Sequence, residues 1–128
     1  MKHILFLLLA ISFNALADSI TVDPNIKPEQ IINCTLPTER EDNAPLDVSE
    51  ILNINWYIGM ASGDYMEKIP TETCQITLDL TQYADGKYYI AATTVDTDFR
   101  ESGYSAESDM TVKRQTPPAR MAAPAFVR

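Results

Sequence analysis

The chain has 128 residues, 18 of them acidic and 10 basic, and a formal net charge of −8; a body this acidic repels phosphate backbones, which excludes nucleic acid as its ligand. Two cysteines and a 45% hydrophobic content suffice for one small core and one crosslink but not for two domains. Histidine occurs once, at His3, which excludes His-dependent triads and the usual zinc sites from the body of the chain.

In chain order, Lys2 and His3 precede an apolar run at residues 4–11, and Ala15-Leu16-Ala17 follows Ser12, Phe13 and Asn14. This is the layout of a secretory signal peptide, residues 1–17, with cleavage expected before Asp18. The run is well short of the roughly 20 residues that cross a bilayer, so no membrane span is expected. Export places the remainder in a secreted or periplasmic setting, where Cys34 and Cys74 are expected to pair; two buried free thiols are the alternative.

After the signal, no stretch sustains a helical period, and short runs alternate apolar with polar residues between Pro, Gly, Asn and Asp clusters. That spacing predicts an all-β sandwich. Residues 18–29 form an N-terminal segment in which Ile20 and Val22 make a ragged edge strand limited by Pro24 and Pro28. Inward positions then follow at Ile32 and Cys34, and at Ile54, Trp56 and Ile58 before the turn Ser62-Gly63-Asp64. Cys74, Ile76, Leu78 and Leu80 give the cleanest period of two. After Ala84-Asp85-Gly86, the residues Tyr88, Ile90, Ala92 and Thr94 are expected to face inward, with Tyr89, Ala91, Thr93 and Val95 outward, and Met110 and Val112 close the series.

Residues 115–128 shift to Pro117, Pro118, Ala119, Ala122, Ala123, Pro124 and Ala125, which reads as a disordered Pro/Ala-rich tail. Its closing Ala125-Phe126-Val127-Arg128 could add a strand to a partner's sheet or simply fray. Charge is split: residues 18–109 hold all 18 acidic side chains against five basic ones, a balance of −13, whereas residues 110–128 hold four basic and no acidic ones.

From Cys34 the run Thr35-Leu36-Pro37-Thr38-Glu39-Arg40-Glu41-Asp42-Asn43-Ala44-Pro45-Leu46 resembles the second strand and following loop of bacterial and phage fibronectin type III domains. Gly59-Met60-Ala61-Ser62-Gly63-Asp64-Tyr65 is similar to the turn after their third strand. Gly86-Lys87-Tyr88-Tyr89 through Thr93-Thr94-Val95-Asp96 resembles the sixth strand, and Arg100-Glu101-Ser102 with Tyr104-Ser105 resembles the loop and entry to the last. The resemblance covers residues 30–114 and implies a seven-stranded immunoglobulin-like β-sandwich that serves as a binding or spacing module. It also implies that the second and fifth strands are antiparallel neighbours, which would set Cys34 opposite Cys74 with Trp56 close by, and that Tyr88 forms a tyrosine corner with the preceding turn. In two places the chain departs from the family: Cys34 replaces a core tryptophan, and Phe99 stands where the loop after the sixth strand carries glycine. No Arg-Gly-Asp tripeptide is present.

With paired cysteines and no histidine, only carboxylates remain as acid or base groups, and neither catalysis nor a cofactor is expected. The two loops that the resemblance places at one pole carry Glu39, Glu41 and Asp42 on one side and Asp96, Asp98 and Glu101 on the other. Such carboxylates could ligate calcium, or be neutralised by Arg40 and Arg100. Phe99 beside Arg100 is a candidate anchor for a partner, and Tyr57 with Tyr89, outward on neighbouring strands, a candidate aromatic patch. The expected function is recognition of another protein or a surface glycan by an exported module. The alternatives are a spacer or assembly subunit of a larger phage or envelope machine, and a calcium-dependent carbohydrate binder or inhibitor.

Overall fold

The computed structural model describes residues 17–128, so all of the expected signal segment except Ala17 lies outside the described residues. Seven strands are present among them: β1 (Ser19–Val22), β2 (Glu29–Asn33), β3 (Ile51–Gly59), β4 (Glu67–Thr71), β5 (Gln75–Asp79), β6 (Gly86–Asp96) and β7 (Ser108–Val112). They form two sheets, one of five strands in the order β1-β7-β6-β3-β4 and one of two, β2-β5. No described helix is long and apolar enough to cross a membrane.

Period-two alternation builds the core. Ile54, Trp56 and Ile58 of β3, Ile76 and Leu78 of β5, Tyr88 and Ile90 of β6, and Met110 and Val112 of β7 are buried between the sheets with Leu80. Val22 of β1 joins the same cluster, so the N-terminal segment is part of the sandwich. β1 pairs with β7 in parallel and does not lie beside β2. Between them the chain turns sharply: the Asp23 carbonyl accepts from the Ile26 and Lys27 N–H groups, and Pro24 and Pro28 bracket the turn. Gly59 ends β3 where the backbone folds back on itself; a Cβ there would lie 2.1 Å from the Asp64 carbonyl oxygen.

Cys34 and Cys74 are bridged, with Cα atoms 5.1 Å apart, at one end of the antiparallel β2–β5 pair. The Cys34 N–H also donates to the Cys74 carbonyl at 2.9 Å. Trp56 lines a cleft together with both cysteines, and its indole N–H donates to Thr71 Oγ1 at 2.8 Å. At the opposite end, the Tyr88 hydroxyl donates to the Ala84 carbonyl at 2.8 Å, which locks the turn into β6. Arg114 closes the same end, reaching Asp85 at 2.7 Å and the Tyr83 carbonyl at 2.9 Å.

Strand β6 keeps the expected facing, Ala92 and Thr94 pairing with Trp56 and Ile54 while Ala91 and Thr93 pair with Tyr57 and Asn55, but burial in its second half does not follow it. Ala91, Thr93 and Val95 are buried, whereas Ala92 and Thr94 are only half-buried. Among the described residues the smaller sheet has no strand beyond β2 to cover Ala92 and Thr94, while Glu101 and Tyr104 fold over the outer face. Residues 115–128 carry no regular secondary structure and are exposed.

Candidate functional site

The end of β6 and its loop are organised by one carboxylate. Asp96 Oδ1 accepts from the Asp98 and Arg100 N–H groups at 2.9 and 2.8 Å, and the Asp96 backbone N–H donates to the Arg100 carbonyl at 2.9 Å. The Phe99 N–H donates to the Asp96 carbonyl at 2.9 Å. This closes a short hairpin loop in which a turn is followed by one left-handed residue, the position glycine ordinarily takes. Here Phe99 occupies it, with φ 63°. The left-handed conformation costs a side-chain-bearing residue about 1–2 kcal/mol. The ring recovers little of that by burial, since Phe99 is 78% exposed.

The remaining oxygen, Asp96 Oδ2, accepts from Arg40 Nη1 at 2.8 Å and Arg100 Nε at 3.0 Å. Arg40 continues to Glu50 at 2.9 Å and Arg100 to Asp98 at 2.8 Å. Of the two readings of the acidic loops, calcium ligation by Asp96, Asp98, Glu101, Glu39 and Asp42 or neutralisation by Arg40 and Arg100, the contacts made by Asp96 and Asp98 are those of the second. Among the described residues no three such side chains are grouped to hold a metal, because two guanidinium groups supply the positive charge. Asp42 Oδ1 instead accepts the Ala44 N–H at 3.0 Å and shapes a turn in which Asn43 is left-handed. Glu41 accepts the Gly103 N–H at 2.9 Å and ties that turn to the segment before β7. Glu39 forms an isolated bridge with Pro45.

Between these segments lies a cleft of about 650 Å3, lined among others by Pro37, Leu46, Ala92, Thr94 and Tyr104. The 3-10 turn Val48–Glu50 borders the pole: the Thr97 N–H donates to the Glu50 carbonyl at 2.9 Å, and Val48 is exposed like Phe99. The pole thus presents two exposed apolar side chains around a fixed ionic network.

Tyr57 does not form a patch with Tyr89. The β3–β6 register sets Tyr57 opposite Ala91 and Tyr89 opposite Gly59, and Tyr89 takes the Lys87 ammonium over its ring at 5.4 Å. The partners of Tyr57 are Tyr65 and Tyr104, with ring centroids at 5.9 and 5.0 Å, and Tyr65 and Tyr104 are 5.1 Å apart. Glu101 accepts from the Tyr57 and Thr93 hydroxyls and the Asn55 amide, and Glu107 accepts from the Ser62 and Tyr65 hydroxyls and the Gly63 N–H. Burial, with the hydrogen bond to Glu107, pushes the Tyr65 hydroxyl up to about 12.

The same contacts hold several carboxylates charged. Asp96 lies well below the usual range because of Arg40 and the backbone N–H of Arg100. Glu50 is lowered by the Asp47 N–H and Arg40, Glu101 by Thr93 and Tyr57, and Glu107 by Ser62 and Tyr65. A carboxylate that ionises at lower pH folded than unfolded adds stability that is full above the unfolded value, about 4, and is lost as pH falls through the folded one. The melting temperature, followed by circular dichroism, should therefore hold from neutrality to about pH 5 and fall below about pH 4. Asp96→Asn should melt lower at neutrality but with a shallower acid limb. An acid limb unchanged by that substitution would remove Asp96 from this role.

The sequence pattern singled out Phe99, Arg100, Asp96 and Arg40, and all four meet at one pole. It missed Glu50 at that pole, and also Tyr65, Tyr104 and Glu107, which gather beside Tyr57 through turns whose spacing carries no periodic signal.

Neither a family model nor a curated protein matches the chain. Among solved structures, the extracellular domain of a one-component system from B. thetaiotaomicron superposes with a TM-score of 0.50 and 12% identity over 77% of this chain, which spans 12% of that neighbour's length. At that identity the likeness concerns the fold alone: the chain is an all-β protein of two sheets in a sandwich-like arrangement, stapled by one disulfide.

Proposed function

We propose that the chain is an exported, non-catalytic recognition module of the fibronectin type III kind that engages another protein or a surface glycan through the Phe99 pole. The observation that carries this reading is Phe99 itself, a large aromatic held exposed in a left-handed position that glycine would occupy at lower cost. Strained backbone of this kind concentrates at functional positions, and buried aromatics dominate binding interfaces. The fibronectin reading draws support from the antiparallel β2–β5 pair that carries the disulfide and from the Tyr88 bond to Ala84. Export draws support from that disulfide and the signal-like N-terminus.

A second reading, an assembly subunit held by its tail, is favoured by the exposure of residues 115–128. The two separate in a pull-down from the envelope fraction of the producing cell, with wild type, Phe99→Ala and a chain lacking residues 116–128 as baits. Phe99→Ala is expected to lose most of the captured partner and the deletion to keep it. The reverse outcome would replace recognition at the pole by anchoring through the tail.

A further inference from the structure

Among the described residues the smaller sheet has two strands, and no strand pairs with the outer edge of β2, where the Ile31 carbonyl accepts from the Gln30 side-chain amide at 2.9 Å. Cys34 donates its N–H to Cys74 and Leu80 donates its own to Pro28, so by ladder alternation the even-numbered residues of β2 face β5. Glu29, Ile31 and Asn33 therefore turn their backbone groups outward, and Ile31 is 52% exposed. Beside this edge, the cleft lined by Ile32, Trp56 and Ile90 shares Thr35, Ala92, Thr94 and Ser105 with the larger cleft at the Phe99 pole. Together they make one groove with an apolar floor, Glu29 at the foot of its β2 wall and the acidic turn of Glu39, Glu41 and Asp42 at its head.

We propose that this groove receives residues 120–128 of a second copy of the chain, which add a third strand to the β2–β5 sheet. This goes beyond the Phe99 reading and does not depend on it. The incoming segment fits by charge and by length. Residues 121–127 are uncharged and apolar, and Arg120 and Arg128 bracket them. Set parallel to β2, the segment brings Arg120 toward Glu29 and Arg128 toward the acidic turn. Eight extended steps span ~26 Å, about as long as β2 with the three residues that follow it.

Met121, Phe126 and Val127 are 86%, 88% and 102% exposed, so their own body does not cover them. The chain leaves that body where the Gln115 N–H donates to Asp23, at the pole opposite Phe99. The Pro117-Pro118 pair then stiffens the exit, which resists the reversal needed to lay the segment on its own body. Pro124 is compatible with an edge strand when its nitrogen faces away from the ladder.

Sedimentation equilibrium of residues 18–128 across about two orders of magnitude in concentration is expected to show reversible self-association, weakened by salt. Because the strands end at Val112, a chain lacking residues 116–128 keeps the fold and should stay monomeric. Arg120→Glu with Arg128→Glu, both at exposed positions, should weaken association at least about tenfold. A labelled peptide of residues 116–128 should bind the truncated body by fluorescence anisotropy, and Ile31→Pro, its fold checked by melting, should abolish that binding while sparing the β2–β5 ladder. A full-length chain that remains monomeric throughout would overturn the proposal, whether or not the peptide binds. Peptide binding to a monomeric chain would mean that the tail docks on its own body.

Discussion

Replacing Cys34 and Cys74 together by alanine is expected to lower the unfolding free energy by about 4 kcal/mol. The bridge joins residues 40 apart in sequence, and closing a loop of that length removes much of the freedom of the unfolded chain. Against a total of about 5–15 kcal/mol for a domain of this size, the loss is a large fraction. It also has a location. A two-stranded sheet is marginal alone, and β2 is held by β5 on one side only, so the bridge and the adjacent Cys34–Cys74 backbone bond pin the end of the strand that walls the groove.

Denaturant unfolding with and without reductant measures the effect. Reductant should shift the wild-type midpoint down and leave the double-alanine variant unmoved. A wild-type shift of less than about 1 kcal/mol would show that core packing alone holds β2.

Phe99→Gly is expected to stabilise the protein while destroying its function. Glycine removes the left-handed cost of about 1–2 kcal/mol, offset by about 0.4–1 kcal/mol for its greater freedom in the unfolded chain. The net expectation is a gain of roughly 0.5–1 kcal/mol. Binding moves the other way. A central aromatic anchor contributes about 2 kcal/mol or more, so affinity for the captured partner should fall about thirtyfold. Phe99→Ala keeps the left-handed cost and loses the ring, and should match the binding loss without the stability gain. If Phe99→Gly melts lower than wild type, the ring packs on the sandwich and its exposure is not the functional feature.

The core was legible in the sequence because β5 alternates strictly and the apolar residues of β3 from Ile54 to Ile58 and of β7 recur at every second position, and that recurrence sets which side chains face inward. Cys34 and Cys74 fell on matching parities, and Tyr88 followed a turn it could bond back to. Beyond Ile90, alternation was not enough. Burial there depends on what covers each face, and Glu101 and Tyr104 cover the outer one while no third strand among the described residues covers the inner.

At the site, Phe99 stood out as an aromatic in a glycine position, a signal local to five residues. The fate of the acidic loops was not local. Arg40 reaches Asp96 from 56 residues away, and counting carboxylates in two loops could not reveal which cation would lie between them. The tyrosine cluster draws on β3, the turn after it and the segment before β7, and only the strand register brings the three rings together.

The central claim, that a partner contacts the Phe99 pole, is tested most directly by site-specific photocrosslinking in the producing cell. Benzoylphenylalanine replaces Phe99 in one chain and Ile26 in another; Ile26 is 81% exposed at the opposite pole. The account predicts a discrete covalent adduct from position 99 and none from position 26. Adducts from position 26 with none from position 99 would contradict it.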